Sequence, residues 1–306
     1  MKFVKFGPTT LEVPAIALGI MRMNKKTPEE ASELLTAAHD QGVNYIDSAD
    51  IYGQGKSEEV FGRALKLSGL SRTDFHIQSK TGIVPGHRYD FSKEHILSAV
   101  DGILERMQVD YLDSLLLHRP DALMDVEEVA EAFDLLQQRG KVRFFGVSNF
   151  NPSQISLLQS AVSQRLIIDQ VQFSLDHTGM IDEGIFVNRT EDEGMVRSSG
   201  LLNYCQEHHL LVQTWSPFQN SQMSASFIDN PFFPKLNREL EKLAEAHHTN
   251  KNAIAVAWIL RHPAQMQVLI GTMNPKHLLD SCEGAGIKLT RQEWYDLYLA
   301  VGHDLP

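Results

Sequence analysis

Short apolar runs alternate with longer amphipathic stretches along most of the chain, at a repeat of roughly 30 residues. The apolar runs predict eight strands: Ala15 to Ile20, Tyr45 to Asp50, Phe75 to Lys80, Ser114 to His118, Arg143 to Ser148, Asp169 to Phe173, Leu211 to Trp215 and Val268 to Gly271. The stretches between them have helical spacing and start signals. Thr27-Pro28-Glu29-Glu30 precedes Leu34-Leu35, Ser92-Lys93-Glu94 precedes Ile96-Leu97, and Asn151-Pro152-Ser153 precedes Ile155. In each case a side chain able to accept from free backbone amides stands before a first turn that favours acid or tolerates proline. Strand, helix, strand in this rhythm implies parallel pairing, because parallel neighbours need a long crossover. Eight such units are enough to close a sheet, so the expected architecture is an α/β fold, a (β/α)8 TIM barrel. The strands read as apolar on both faces, as in Ser114 to Leu117 and Arg143 to Val147, which suits outer helices and a lumen packed with side chains.

Three segments depart from the repeat. Phe3 to Val13 reads as a hairpin around Gly7-Pro8, placed to cap one end of the barrel. His177 to Ser199 and Pro217 to Pro234 are polar insertions that follow predicted strands, so a barrel would carry both on its C-terminal face, where ligands bind. Phe218, Phe227, Phe232 and Phe233 suggest an apolar pocket in the second insertion, and both insertions are expected to govern substrate choice. A final helix, Arg291 to Gly302, gathers Trp294, Leu297 and Tyr298 on one face and would wrap the barrel or close its mouth.

Composition narrows the function. A chain of 306 residues with 42% hydrophobic and 22% charged residues suits one globular barrel domain spanning residues 1–306. The formal charge of −11, with cations scattered along the chain, argues against nucleic acid as a partner. Cys205 and Cys282 lack the spacing of a zinc site or a disulfide framework, and no metal is expected. The first residues, MKFVKFGPTT, do not read as a leader, and no apolar run reaches the length of a membrane span. A cytoplasmic monomer acting on a small molecule, without membrane partners, is the expectation.

Asp47, Lys80 and His118 fall near the ends of the second, third and fourth predicted strands, and Tyr52 stands in the loop after Asp47. Strand ends converge at a barrel rim, so these four would meet. A phenol is a reluctant acid at neutral pH, but an adjacent ammonium favours the phenolate and lowers its pKa, which Lys80 would do for Tyr52. Asp47 would compensate the buried ammonium, and His118 would orient a substrate oxygen or assist proton transfer. A glycosidase using Asp47 and Asp50 is the weaker enzyme reading, because adjacent strand positions face opposite ways and no other strand end offers an acid. Gly53-Gln54-Gly55-Lys56-Ser57 lacks the spacing of a phosphate loop.

Longer matches sharpen this. Gly42-Val43-Asn44-Tyr45-Ile46-Asp47-Ser48-Ala49-Asp50-Ile51-Tyr52-Gly53, Gln78-Ser79-Lys80, Leu116-Leu117-His118-Arg119-Pro120 and Gly140-Lys141-Val142-Arg143-Phe144-Phe145-Gly146-Val147-Ser148-Asn149-Phe150 resemble the aldo-keto reductases in order and spacing. His118-Arg119-Pro120-Asp121 and the terminus Gly302-His303-Asp304-Leu305-Pro306 resemble a bacterial branch, the YdhF-like oxidoreductases. The resemblance implies hydride transfer from NADP(H) to an aldehyde or ketone, with Asp47, Tyr52, Lys80 and His118 as the catalytic tetrad. It implies that Ser148, Asn149 and Gln170 hold the nicotinamide carboxamide and that Trp215 stacks on the ring. Gly19, Ile20, Met21 and Asp47 would complete that end, and Ser216, Pro217 and Phe218 would follow the pyrophosphate. Gly271, Thr272, Asn274, His277 and Ser281 would take the adenosine phosphate at a helix N-terminus. The family often has Arg where this chain has His277 and Asn where it has Ser281, so the preference for NADP is weakened and NAD(H) is also open. A nicotinamide-binding redox sensor with little turnover is the alternative function.

Overall fold

The computed structural model describes all 306 residues and contains a closed barrel of eight parallel strands. In chain order the elements begin with a hairpin, β1 (Phe3–Lys5) and β2 (Glu12–Pro14), followed by barrel strands β3 (Ile16–Gly19), β4 (Tyr45–Asp47) and β5 (His76–Thr81). A two-residue ribbon, β6 (Ile83–Val84) with β7 (Arg88–Tyr89), interrupts before β8 (Leu112–Leu117), β9 (Val142–Ser148), β10 (Leu166–Gln172), β11 (Leu211–Trp215) and β12 (Met266–Ile270). Each barrel strand overlaps one predicted from the apolar runs. The clearest difference is β4, which ends at Asp47, so that Ser48 to Asp50 belong to the loop that carries Tyr52.

The capping signals act as expected. Thr27 and Asn151 each form a reciprocal capping box, with Glu30 before α1 (Pro28–Asp40) and with Gln154 before α5 (Pro152–Ala161). Ser92 accepts from the amide of His95 at the start of α3 (Lys93–Met107). No helix is long and apolar enough to cross a membrane.

Alternation along the strands sorts the barrel into layers. Even-numbered outward positions on β4 and odd-numbered ones on β5 and β8, such as Ile46, Ile77, Leu115 and Leu117, join the main apolar cluster with the helices. The lower lumen is apolar and aromatic: Phe6 is wholly buried and meets His76, Phe144 and Tyr45 edge-on at centroid distances of 4.6, 5.1 and 6.1 Å. Gly7, just after Phe6, has φ +57°, and a Cβ there would lie 2.5 Å from the Ile167 carbonyl oxygen. Only glycine lets the hairpin seat this plug, which closes the N-terminal end.

Above the plug the lumen departs from the apolar packing read in the sequence. Gln78, Ser114, Gln170, Gln213 and Gln267, all buried, form a hydrogen-bonded belt. Gln213 Oε1 accepts from Gln78 at 2.8 Å and from Gln170 at 2.9 Å, while Gln213 Nε2 donates to Gln267 Oε1 at 2.8 Å. Amides spaced around a closed lumen satisfy one another, which makes burial of so many polar groups tolerable.

The final helix, α11 (Arg291–Val301), buries Trp294, Leu297 and Tyr298 but does not reach the barrel mouth. It lies against α8 (Pro234–Ala246) and α9 (Lys251–Leu260). Trp294 stacks on Trp258, and each indole N–H donates to the other residue's carbonyl at 3.0 and 3.1 Å.

Candidate active site

The inward positions at the C-terminal ends of the strands are Gly19, Asp47, Lys80, His118, Ser148, Gln170, Trp215 and Gly271, of which Gln170 also belongs to the belt and His118 and Gly271 stand one residue past β8 and β12. Most line one cavity of about 1190 Å³ at the C-terminal end of the barrel. A period of two carries every second side chain to the same side, and closure turns eight such sides toward one axis.

Lys80 is completely buried at the cavity floor. Its ammonium donates to Asp47 Oδ2 at 2.8 Å, to the Ser48 carbonyl at 2.7 Å and to the Tyr52 hydroxyl at 3.2 Å. Three acceptors satisfy its three N–H groups. Asp47 in turn accepts from Gln78 at 2.7 Å and Gln170 at 2.9 Å through Oδ1, so the glutamine belt fixes the carboxylate that fixes the lysine. Tyr52 and His118 meet edge-on, ring centroids 6.1 Å apart. The structure therefore brings together Asp47, Tyr52, Lys80 and His118 from separate strand ends and loops.

The electrostatics differ from the sequence argument in one respect. Burial raises the Tyr52 pKa, and although the Lys80 ammonium pulls it down, the net displacement is upward. Tyr52 is therefore a neutral phenol at neutral pH. Burial alone would strip the proton from Lys80, but Asp47 and Tyr52 overcome it and leave its pKa raised. Burial, then Lys80 and Arg119, push His118 down to about 2, so its imidazole is neutral at any ordinary pH. His118 makes no side-chain hydrogen bond within the protein, and its buried Nδ1 has no partner.

Around the rim, Asn149 at φ +63° and Ser216 at φ +54° leave β9 and β11 in the left-handed region, a conformation that costs of order 1 kcal/mol or more for such residues. Asn149 Nδ2 donates to Ser148 Oγ at 2.9 Å and to the His118 carbonyl at 3.2 Å, and its Oδ1 accepts from the Trp215 indole at 3.2 Å. Ser148 Oγ donates to the Gln170 carbonyl at 2.7 Å. These expected carboxamide contacts are thus already ordered by one another. Gly19, Met21, Ser216, Pro217, Phe218, Thr272, His277 and Ser281 also line the cavity.

Two expected contacts do not reach it. Ile20 is wholly buried in the core, and Asn274 turns back to cap α10 (Pro275–Cys282), accepting from the Lys276 amide at 2.9 Å. Asp50 stays out of the cavity too, its Oδ2 accepting from Thr81 at 2.9 Å, so it does not pair with Asp47 for glycoside hydrolysis.

The insertions divide. No residue of 177–199 lines the cavity, whereas Pro217, Phe218, Gln219 and Met223 of the second insertion do. Of its phenylalanines only Phe218 faces the cavity; Phe227 is buried in the core, Phe232 is 87% exposed and Phe233 packs against the core. The sequence reading missed the glutamine belt and two arginines at the mouth, Arg22 and Arg119. Alternation along β5, β11 and β12 held the signal for the belt, since Gln78, Gln213 and Gln267 share the register of the floor residues.

The sequence and the parallel eight-stranded barrel both match known proteins over nearly the whole chain. The sequence model of the aldo/keto reductase family matches residues 15–298, and the chain belongs to that family of oxidoreductases. It is similar to the oxidoreductase YdhF of Escherichia coli, 35% identical over 87% of this chain and 86% of the relative. It is also 32% identical to the 6-dehydroglucose reductase of Agrobacterium fabrum, over 96% of this chain and 97% of that one. The crystal structure of an aldo/keto reductase from Klebsiella pneumoniae in complex with NADP and acetate superposes with a TM-score of 0.76 at 27% identity, covering 97% of this chain and 94% of that one.

Proposed function

We propose that this protein reduces aldehydes or ketones to alcohols with NADP(H), Tyr52 acting as the general acid. The observation that carries the reading is the 3.2 Å contact between the Lys80 ammonium and the Tyr52 hydroxyl at the floor of the cavity, with the ammonium anchored on Asp47. The residues present fit a dinucleotide. The cavity exceeds the roughly 300–1,000 Å³ of an ordinary small-molecule site, which leaves room for a cofactor beside a small substrate. His118 has unspent hydrogen-bonding capacity, and the N-terminal turn of α10 opens near Thr272 and His277.

Trp215, Ser148, Asn149 and Gln170 would hold the nicotinamide end, Gly19, Met21, Ser216, Pro217 and Phe218 the middle, and Gly271, Thr272, His277 and Ser281 the adenosine end. When bound, the nicotinamide supplies the hydride. Tyr52 gives its hydroxyl proton to the carbonyl oxygen as negative charge gathers there. Lys80 remains an ammonium beside the phenolate left behind, and Asp47 keeps Lys80 charged in its dry pocket. His118, neutral, donates to the same oxygen and aims the carbonyl.

The 6-dehydroglucose reductase and the NADP-bound structure among its relatives support this reading. The test follows reduced-nicotinamide absorbance with a panel of aldehydes and ketones, NADPH and NADH in parallel. Carbonyl-dependent oxidation, faster with NADPH, is expected. Tight cofactor binding without oxidation against the whole panel would overturn it in favour of a nicotinamide sensor.

A further inference from the structure

Three cations line the cavity, and they are not equivalent. Lys251 is spent, at 2.6 Å from Asp229 and 2.8 Å from Glu241. Arg22 leaves the first barrel strand beside Gly271, where a Cβ would sit 3.3 Å from its Nη2. That arc, between the last and first strands, also holds Thr272 and the start of α10, so Arg22 faces the expected phosphate path. Arg119 follows β8, the fourth strand of the barrel, on the opposite arc. It adjoins His118, and its guanidinium carbon lies 5.7 Å from the centre of the Trp215 ring. It makes no hydrogen bond or ion pair with any protein group; of the acids lining the same cavity, Asp47, Asp229 and Glu241 are paired with lysines, and Asp280 lies on α10, beyond the last strand on the opposite arc.

A guanidinium is costly to hold in a partly dry cavity without an acceptor, and its planar fork of donors matches a carboxylate. The whole chain carries −11, so an unpaired guanidinium next to His118 stands against the overall field and focuses anions locally. We propose that Arg119 is a specificity-determining residue that selects carbonyl substrates bearing a carboxylate. The inference rests on the carbonyl-reductase reading above and names the substrate class for that site. Substrate enters with its carbonyl oxygen toward Tyr52 and His118 and its carboxylate toward Arg119, on the side away from the phosphates.

The experiment compares 4-carboxybenzaldehyde with 4-formylbenzamide, a neutral molecule of nearly the same shape, in wild type, Arg119→Met and Arg119→Lys. Wild type is expected to favour the acid by about 10-fold or more in kcat/KM, the scale of one charge-assisted pair. In Arg119→Met the ratio falls to about 1, and Arg119→Lys lies between, because an ammonium lacks the fork. Reduction of both aldehydes by wild type at similar kcat/KM overturns the Arg119 assignment and leaves carbonyl reduction standing. Reduction of neither overturns carbonyl reduction, and binding then decides the arginine. Calorimetry with 4-(hydroxymethyl)benzoate and its amide, on the NADP-loaded protein, gives tighter binding of the acid in wild type and equal binding in Arg119→Met if Arg119 selects the carboxylate. Equal binding already in wild type overturns it.

Discussion

The floor and the rim of the cavity are built by opposite rules. At the floor the polar groups beneath Tyr52 and His118 are buried and pinned: Lys80 by three acceptors, Asp47 by Lys80, Gln78 and Gln170, and the glutamines by one another. At the part of the rim proposed for adenosine, Thr272 is only partly buried, His277 is exposed, Asn274 is occupied as a cap, and Ser281 donates into its own helix at the His277 carbonyl. The floor has one arrangement available to it, while the rim retains choices. Chemistry common to many carbonyl compounds is suited to the first, and recognition that differs among them to the second.

The sharpest way to test that contrast is at the floor. Tyr52→Phe removes one oxygen and leaves Lys80 with two of its three acceptors, so folding and NADPH binding should persist. Turnover should fall by about 100-fold to 10,000-fold, the usual contribution of a positioned acid. Stopped-flow and steady-state rates decide it, and near-normal turnover would remove Tyr52 as the proton source.

Lys80→Met attacks the same floor through its charge. It leaves Asp47 buried without its ammonium, which costs about 3–5 kcal/mol when one partner of a buried pair is lost. The sign of the pH dependence is fixed by the raised Lys80 pKa. The folded value exceeds the unfolded one, so the pair stabilises fully below the unfolded value near 10.4 and loses its effect as pH climbs through the folded value. The stability gap between wild type and Lys80→Met should therefore hold across neutral pH and shrink only in strong alkali, as followed by urea denaturation. A gap that closed near pH 7 would contradict the pairing.

Gln213→Leu reaches the floor from below. It deprives the Gln267 amide oxygen of a donor and the Gln78 and Gln170 amides of one acceptor each, although both keep Asp47. A loss of about 1–3 kcal/mol is expected from buried groups left unpaired. Unchanged thermal unfolding would mean that the belt is bystander packing.

The rim answers more gently. His277→Arg places a permanent fork of donors where the chain has an imidazole, and should tighten NADPH over NADH by about 10-fold, or 1.4 kcal/mol. Fluorescence titration with both cofactors measures this, and an equal gain for both would show that residue 277 does not meet the extra phosphate.

The division between floor and rim also explains what was legible in the sequence. The eight strands were readable because outward positions such as Ile77 and Leu115 must be apolar against helices, and Asp47, Lys80 and His118 because a titratable side chain at a strand end is conspicuous. Gln78, Gln213 and Gln267 were not, since an isolated glutamine in an apolar run is silent until closure of the barrel brings its partners within reach. Arg119 was visible within a matched motif, but only the absence of a partner in three dimensions gives it meaning. The first insertion misled for a related reason: polarity marks a segment as outside the core without saying what it covers.

The first insertion makes the smallest prediction. Its short helix α6 (Gly179–Ile185) is tied inward by its own acids. Glu183 accepts from the amides of Arg197, Ser198 and Gly200, and Asp182 accepts from Tyr298 of α11 at 2.7 Å and from Thr178 at 2.9 Å. The tip, Asn188 to Glu193, lies beyond these ties and contributes nothing to the cavity. Replacing that tip with two glycines should leave the relative rates for aldehydes of different size unchanged, whereas Phe218→Ala, on the second insertion, should alter them. If the shortened tip shifted those rates as much as Phe218→Ala, the first insertion would have to reach the substrate, and the separation drawn here between a buttress and a wall of the cavity would fail.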